Sequence, residues 1–434
     1  MGGLITSVHT IAKRISMKRR DNKSEILEEV FENFLKGFKI FKNREVLRHD
    51  YIPDYLPHRE EQIRYLGEIV APTLGGFPCS NVFIYGKTGT GKTAVMKYVL
   101  KRLVTKAHSL NSPVRVCYVN CRLAGTEYRI LSSLCSSIFV DVPFTGLALG
   151  EVFDRFRSGL NSEKTLLIIV LDEIDVLVKE RGDGLLYELT RINGNLSNSR
   201  VSIIGISNDL KFKEYLDPRV LSTLSEEEIV FRPYNASELR DILLDRASMA
   251  FQEGVLTEGA ISLCAALAAA EHGDARRALD LLRVAGELAE REGAKQIAED
   301  HVRRAERRIE HDRVIEALKN LPAHSKFVLL SVYLLSNAGS NKSITGDIYN
   351  VYCEICERFG VTPLTQRRVS GLINELDVIG LLNSKVVSLG RYGRTKKINL
   401  SISKSLVRKV FAEDERFVSL IDYTPRCLMR PLDG

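Results

Sequence analysis

The eight residues Gly86-Lys-Thr-Gly-Thr-Gly-Lys92-Thr93 have the types and spacing of a phosphate cradle, G-x-x-x-x-G-K-[ST]. Glycines let the backbone close around an anion and present its N–H groups. A helix opening at Ala94 aims its N-terminus at the same charge. Lys92 then reaches the β- and γ-phosphates, and the Thr93 hydroxyl ligates Mg²⁺. Gly86, Thr88, Gly89, Thr90, Gly91, Lys92, Thr93 and Ala94 are therefore the candidate contacts to ATP or ADP.

Two acids complete the chemistry. Asp172 and Glu173 follow the apolar run Leu166–Leu171, at the carboxyl end of a buried strand where ligands of open α/β sheets bind. Asp172 suits Mg²⁺, and Glu173 suits polarisation of an attacking water. Asn208 ends the next apolar run and could orient that water; taken alone it reads better as a turn residue.

These residues need a parallel sheet to hold them. Val82–Tyr85, Val114–Asn120, Leu166–Leu171 and Val201–Ile206 are strand-sized, apolar and separated by helical stretches. That pattern predicts an α/β core, a parallel sheet with helices on both sides, over residues 46–232. From 233 to 312 the apolar period becomes 3.6, predicting a small α-helical lid. Residues 313–420 predict three helices and then two strands around Gly390-Arg-Tyr-Gly393, the pattern of a winged helix-turn-helix. A basic arm over 1–45, expected to be mobile with an amphipathic segment, and a tail over 421–434 flank these parts.

At 434 residues, 44% hydrophobic and 27% charged, the chain suits a globular protein of two or three domains. It has no apolar run of membrane-spanning length, and its eight Cys form no disulfide framework. Its first residues show neither the apolar region nor the cleavage site of a secretory leader, so secretion is not expected. A cytoplasmic, nucleoid-associated protein without a membrane partner is expected. The net charge is +7, and from Leu321 onward 16 Lys/Arg face 10 Asp/Glu, so most of the excess lies in the last quarter. Such a balance favours a phosphate-rich partner there. Cys353-Glu-Ile-Cys356 has metal-like spacing but no second pair, and Met1-Gly-Gly-Leu-Ile-Thr6 matches an acylation pattern that arises easily by chance. Neither is assigned a role.

The loop, the Asp-Glu strand, the strand-end Asn and the helical lid together resemble an AAA+ ATPase with a P-loop. Tyr55-Leu-Pro-His-Arg-Glu-Glu-Gln62, Phe231-Arg-Pro-Tyr-Asn-Ala-Ser-Glu-Leu239 with Arg246, and Gly273-Asp-Ala-Arg-Arg-Ala-Leu-Asp280 resemble further motifs of one branch. With the winged helix, these are similar to archaeal origin-recognition and Cdc6-type DNA replication initiators, over about residues 50–410. The resemblance implies that Arg276 reaches the γ-phosphate from the lid and that Tyr55, Tyr234 and Arg246 help hold the nucleotide. Alone, Arg276 reads as a solvated helix face. One position departs from the pattern: where finger-bearing relatives carry Arg, this chain has Thr223. Arg219 lies one turn earlier and either serves as the finger or pairs locally with Asp217. Slow intrinsic hydrolysis is expected, with ATP acting as a switch.

The helix near Leu364–Asp377 carries Thr365, Gln366, Arg367, Arg368 and Ser370 at its N-terminal half, the part of a recognition helix that reaches base edges. Arg391, Tyr392, Arg394 and Lys396 would form the wing. A solvated basic face is the competing reading of both groups. The resemblance also implies a second DNA element inserted after the second strand, for which the candidate is Gly125–Gly150 with Thr126, Arg129, Pro143 and Gly146. The implied partners are double-stranded origin DNA, the replicative helicase and other initiator paralogues. Two rival readings are a clamp-loader-like ATPase and an ATPase-type transcription regulator with a winged helix. The stretch Leu221-Ser-Thr223, where clamp loaders carry a Ser-Arg pair, weighs against the first.

Overall fold

The computed structural model describes residues 39–224, 227–339, 343–388 and 394–426. It divides into two compact units, 1–305 and 306–434. The division falls inside the helix Glu299–Asn320, a few residues before the expected boundary at 313, because no turn interrupts that helix.

In the first unit five parallel strands run in the order β2-β3-β4-β1-β5, with β1 Val82–Gly86, β2 Val114–Asn120, β3 Leu166–Asp172, β4 Arg200–Ser207 and β5 Glu227–Phe231. Every residue of β3 is buried, as a central strand covered on both faces requires. On one face, the helices Glu60–Val70 and Lys92–Ser109 pack Leu66, Val95, Met96 and Leu100 against Ile84, Ile168, Val170 and Ile204. On the other, Glu127–Ser137, Leu149–Ser162, Ile174–Arg181 and Gly184–Arg191 pack around Phe83, Ile169 and Phe212. Strand β5 goes beyond the sequence reading. It is an edge strand in which Ile229 and Phe231 are buried while Glu228 and Val230 face outward, so no apolar run marks it. The candidate insert contains the helix Glu127–Ser137, capped by Thr126, whose side chain accepts from Arg129 N at 3.3 Å.

The lid consists of the helices Ala236–Ala250, Glu258–Ala270 and Ala275–Arg291, followed by Glu299–Asn320. Asn235 and Glu238 form a capping box on the first of these helices. The chain before the core corrects the expectation of a mobile arm up to residue 45. Ile40 and Phe41 are buried, and Phe41 lies 4.9 Å from the Phe251 ring on the lid. Gly286 makes room for it, since a Cβ there would come within 2.6 Å of the Phe41 ring. Residues 1–38 lie outside the described residues.

The second unit holds the helices Ala323–Asn337, Thr345–Phe359 and Gln366–Val378, with the antiparallel sheet β6-β8-β7: β6 Ser343–Ile344, β7 Leu382–Ser388 and β8 Arg394–Leu400. Ala323–Asn337 is buried almost all round, which makes it the centre of this unit's core. The chain is thus an α/β AAA+ core with a helical lid and a C-terminal winged helix. Among the described residues no helix is long and apolar enough to cross a membrane.

Candidate nucleotide site and candidate DNA surfaces

The loop after β1 needs backbone that only glycine adopts freely. Gly89 and Gly91 have φ of 74° and 92°. Both also lie against the lid. A Cβ on Gly89 would sit 1.7 Å from Asp274 Oδ1, and one on Gly91 would sit 2.8 Å from the Tyr234 hydroxyl. Ala275 N donates to Gly89 O at 3.1 Å, so loop and lid are also joined through backbone. Between them lies a cavity of about 510 Å³, lined by Thr88–Ala94, Tyr55, Asp172, Glu173, Asn208, Tyr234, Arg246 and Arg276. Its size is that of a small-molecule site. Every residue expected at the nucleotide, Gly86 excepted, lines this space; Gly86 ends β1 directly beneath it.

Lys92 is buried and donates to Gly86 O at 2.6 Å and Lys87 O at 2.8 Å. Burial pulls its pKa down to about 8, and Arg276 nearby adds to this, while Asp172 opposes it. The arrangement is a cation held in reserve for an anion. Asp172 Oδ2 accepts from Thr93 Oγ1 at 2.9 Å and from Tyr118 Oη at 2.6 Å, and its Oδ1 accepts from Glu173 N at 2.9 Å. A hydroxyl and a carboxylate in contact, beside room for phosphates, make an oxygen-only donor set that fits Mg²⁺. No group of three or more His, Cys, Asp or Glu suited to a metal occurs among the described residues, so the nucleotide would have to supply further ligands.

Glu173 stands in left-handed backbone, φ 53°, which costs about 1–2 kcal/mol at a non-glycine residue. Its Oε1 accepts from Asn120 Nδ2 at 3.2 Å. Asn120 ends β2 in register with Asp172, and its Oδ1 accepts from Leu123 N at 3.0 Å. Asp175 is buried and accepts from Ser207 Oγ at 3.2 Å and Asn208 N at 3.3 Å, fixing the backbone at Asn208.

Arg246 lines the cavity, yet its guanidinium donates to Val46 O at 3.1 Å and Tyr51 O at 3.2 Å. It therefore secures the segment that walls the cavity. Tyr55 is 57% exposed at the rim, with its hydroxyl on Glu60 at 3.0 Å. Arg276 opens the helix capped by Asp274, whose Oδ1 accepts Arg276 N at 2.8 Å, and its guanidinium has no ion partner within 4.0 Å among the described residues. Arg219 is likewise exposed. Its N bonds Asp217 at 2.8 Å, and Thr223 Oγ1 caps Arg219 O at 3.1 Å.

Sequence reasoning missed four supports: Arg59, Tyr118, Asn120 and Asp175. Arg59 is the most connected. Buried, it donates to Thr90 O at 2.9 Å and Arg232 O at 2.8 Å and stacks 3.7 Å over the Tyr234 ring, joining loop to lid. Its signal was a cation inside the motif Tyr55–Gln62. For Asn120 the signal was a polar residue ending an apolar strand, the same one that marked Asn208.

In the second unit Thr365 caps the helix Gln366–Val378, leaving Gln366, Arg367 and Arg368 exposed on its first turn. Ser370 is half-buried, and Val369, Leu372, Ile373 and Leu376 face the core. Arg368 pairs with Glu375 at 3.3 Å, and Lys396 bonds Asn374. Arg391 and Tyr392 lie outside the described residues, as does the Arg394 side chain. In the insert, Arg129 lies 5.6 Å from the ring of Phe144, which is 76% exposed, and Pro143 O accepts from Tyr128 Oη at 2.6 Å. Gly146 lines the same shallow cavity as Arg129 and Thr126.

Known families match the core, the lid and the winged helix. Residues 77–211 match an AAA domain, 240–307 the Cdc6 AAA+ ATPase-type lid domain, and 316–410 the CDC6 C-terminal winged helix domain. The chain is 53% identical over 399 residues to an ORC1-type DNA replication protein of Thermococcus onnurineus, covering 91% of this chain and 96% of that one. With ORC1-type DNA replication protein 1 of Archaeoglobus fulgidus it shares 52% over 391 residues, covering 90% and 95%. The solved structure of the Aeropyrum pernix ORC1 protein in complex with DNA is similar at a TM-score of 0.78 and 50% identity, over 88% of this chain and 99% of that one. Identity of this extent, across core, lid and winged helix alike, establishes that the chain belongs to the ORC1-type DNA replication protein family.

Proposed function

We propose that this chain is an ATP-switched replication initiator. It would bind duplex origin DNA through the winged helix and the insert at 125–150, and help recruit the replicative helicase alongside initiator paralogues. A cytoplasmic, nucleoid-associated location follows from that role. The observation that carries the reading is the contact of Asp274 and Tyr234 on the lid with Gly89 and Gly91 of the phosphate loop. A nucleotide entering between them alters the lid, and the lid is the chain segment that leads to the winged helix.

Bound Mg²⁺ would neutralise developing phosphate charge, with Thr93 and Asp172 holding it. Lys92 holds the β- and γ-phosphates, Glu173 and Asn208 orient the water, and Arg276 reports the γ-phosphate to the lid. Glu173 is tied to Asn120, and Thr223 stands where a finger would supply a cation in trans, so hydrolysis without a partner is slow. The DNA contacts resting on Arg367, Arg368 and Gln366 are those of a recognition helix.

Genome-wide mapping of binding sites, joined to footprinting on origin and promoter duplexes with ATP, ADP or no nucleotide, tests this reading. Protection of origin DNA that changes with nucleotide supports it. Nucleotide-insensitive binding centred on promoters, or turnover of many ATP per second by the isolated protein, overturns it.

A further inference from the structure

Between Glu68 and Glu127 the chain carries no Asp or Glu but eight Lys and Arg. Lys87 and Lys92 belong to the phosphate loop. Of the other six, Arg115 pairs with Glu163 at 3.4 Å and Arg122 with Glu173 at 3.9 Å, and the remaining four lie on one helix. Along Lys92–Ser109, Lys97, Lys101, Arg102 and Lys106 are all exposed and recur at i, i+4, i+5 and i+9, which places them on one broad face. Lys101 and Lys106 lie about 14 and 21 Å along the helix from Lys92, too far to serve the same nucleotide. Of the four, only Arg102 has an acid within 4.0 Å among the described residues: Asp54, 3.9 Å away and itself almost fully exposed.

At its Lys97 end this face meets the insert around the edge strand β2, while the insert's helix Glu127–Ser137 packs on the other face of the sheet. Lys97 Nζ lies 4.7 Å over the ring of Tyr118 on β2, and Lys97, Arg122 and Leu123 share the outer wall of the nucleotide cavity. Leu123, 82% exposed, also lines the shallow cavity of Arg129 and Phe144.

We propose that the Lys97–Lys106 face is a further DNA contact, a phosphate-backbone track that extends the footprint of the insert along the ATPase core. The inference rests on the reading of the insert as a DNA element. From Lys97 to Lys106 the helix advances about 14 Å, the axial length of about four phosphates on one strand. Lysines on a helix face offer point charges without base-edge geometry, so the track adds affinity and salt dependence but no sequence preference. An acidic protein segment would suit the same charges. Continuity with the insert favours DNA.

The test measures affinity of the full chain for a random-sequence duplex and an origin duplex, with ATP present, from about 50 to about 200 mM salt. The variants are Lys101→Ala/Lys106→Ala, clear of the nucleotide cavity, and Arg367→Ala/Arg368→Ala in the winged helix. Two lost phosphate contacts should flatten the slope of log affinity against log salt by about 1.8, shrinking the affinity lost across that range about tenfold, equally on both duplexes. An unchanged slope in the lysine variant, while the arginine variant loses origin preference, overturns the track and leaves the proposed function standing. A slope unchanged in both variants overturns the two together. Unchanged DNA binding joined to lost capture of a protein partner assigns the face to an acidic segment and also overturns it.

Discussion

Two basic regions of this chain, the nucleotide cavity and the recognition helix, handle charge in opposite ways. Around the nucleotide cavity Lys92, Arg59 and Arg246 are 5%, 5% and 7% exposed, and each donates to backbone carbonyls. On the winged helix Arg367 and Arg368 are exposed, and the ion pair that Arg368 makes with Glu375 lies at the surface. A buried cation is desolvated during folding and meets its anion in a fixed place. An exposed cation stays hydrated, and its binding energy comes largely from displaced counterions. The first arrangement suits one small ligand, and the second suits a long polyanion read at high salt sensitivity.

Lys92 separates the two most sharply. Holding its charge in the folded protein costs about 3 kcal/mol, given a pKa lowered from 10.5 to about 8. Between those values the folded state binds fewer protons than the unfolded state, so stability rises with pH across that window and the penalty is full below pH 8. Lys92→Met keeps the chain length and removes the charge. It should abolish measurable ATP binding, a loss of a hundredfold or more, while raising the thermal midpoint of the nucleotide-free protein. That gain should be present at pH 7 and shrink toward pH 10. Calorimetry with and without ATP reads both; a lowered midpoint at pH 7 would mean the lysine is structural, and the contrast would fail.

Arg59→Ala comes next. It leaves Thr90 O and Arg232 O without their donor and removes the cation from Tyr234, which should cost about 3 kcal/mol of stability. Arg59→Lys should restore little, because one ammonium cannot span both carbonyls and stack. Arg367→Ala should leave the stability within about 0.5 kcal/mol of wild type. Its effect belongs to DNA: about 1–3 kcal/mol of discrimination between origin and altered duplex, read by competition binding. A large stability loss at Arg367, or none at Arg59, breaks the comparison.

The same contrast explains what could be read in the sequence. The phosphate loop, Asp172-Glu173 and Asn208 were legible because phosphate chemistry demands those types next to strands, and buried strands are marked by unbroken apolar runs. Edge strand β5 was not, since after Glu227 and Glu228 only Ile229, Val230 and Phe231 are apolar, too short a run to mark a strand. Tyr118, Asn120 and Asp175 were hidden because their partners come from neighbouring strands and helices, and only sheet register brings Asn120 beside Asp172. The resemblance placed Arg246 at the cavity, which it lines, but the partners of its guanidinium, about 200 residues earlier at Val46 and Tyr51, are brought to it only by the fold. On the winged helix, solvent-facing Arg367 and Arg368 were legible as a face, because the apolar spacing of Val369, Leu372, Ile373 and Leu376 fixes the opposite side.

The smallest expected effect lies in one hydroxyl. Tyr118 Oη donates to the same oxygen of Asp172 as Thr93, and burial together with that bond pushes the phenol well above its ordinary pKa. The phenol therefore stays a donor at any working pH and helps hold the carboxylate in the rotamer a metal would meet. Its hydroxyl acts through Asp172, so it is a positioning residue. Tyr118→Phe should leave metal-free ATP affinity unchanged and raise the Mg²⁺ concentration needed for half-maximal tightening by about fivefold, the worth of one hydrogen bond near 1 kcal/mol. Titrating Mg²⁺ against a fluorescent nucleotide measures both at once. An equal loss with and without Mg²⁺ would mean that Tyr118 supports the cavity as a whole. An unchanged midpoint would mean that Thr93 and the Glu173 backbone N–H hold the carboxylate alone, and that the buried site is organised by fewer bonds than the contrast with the winged helix implies.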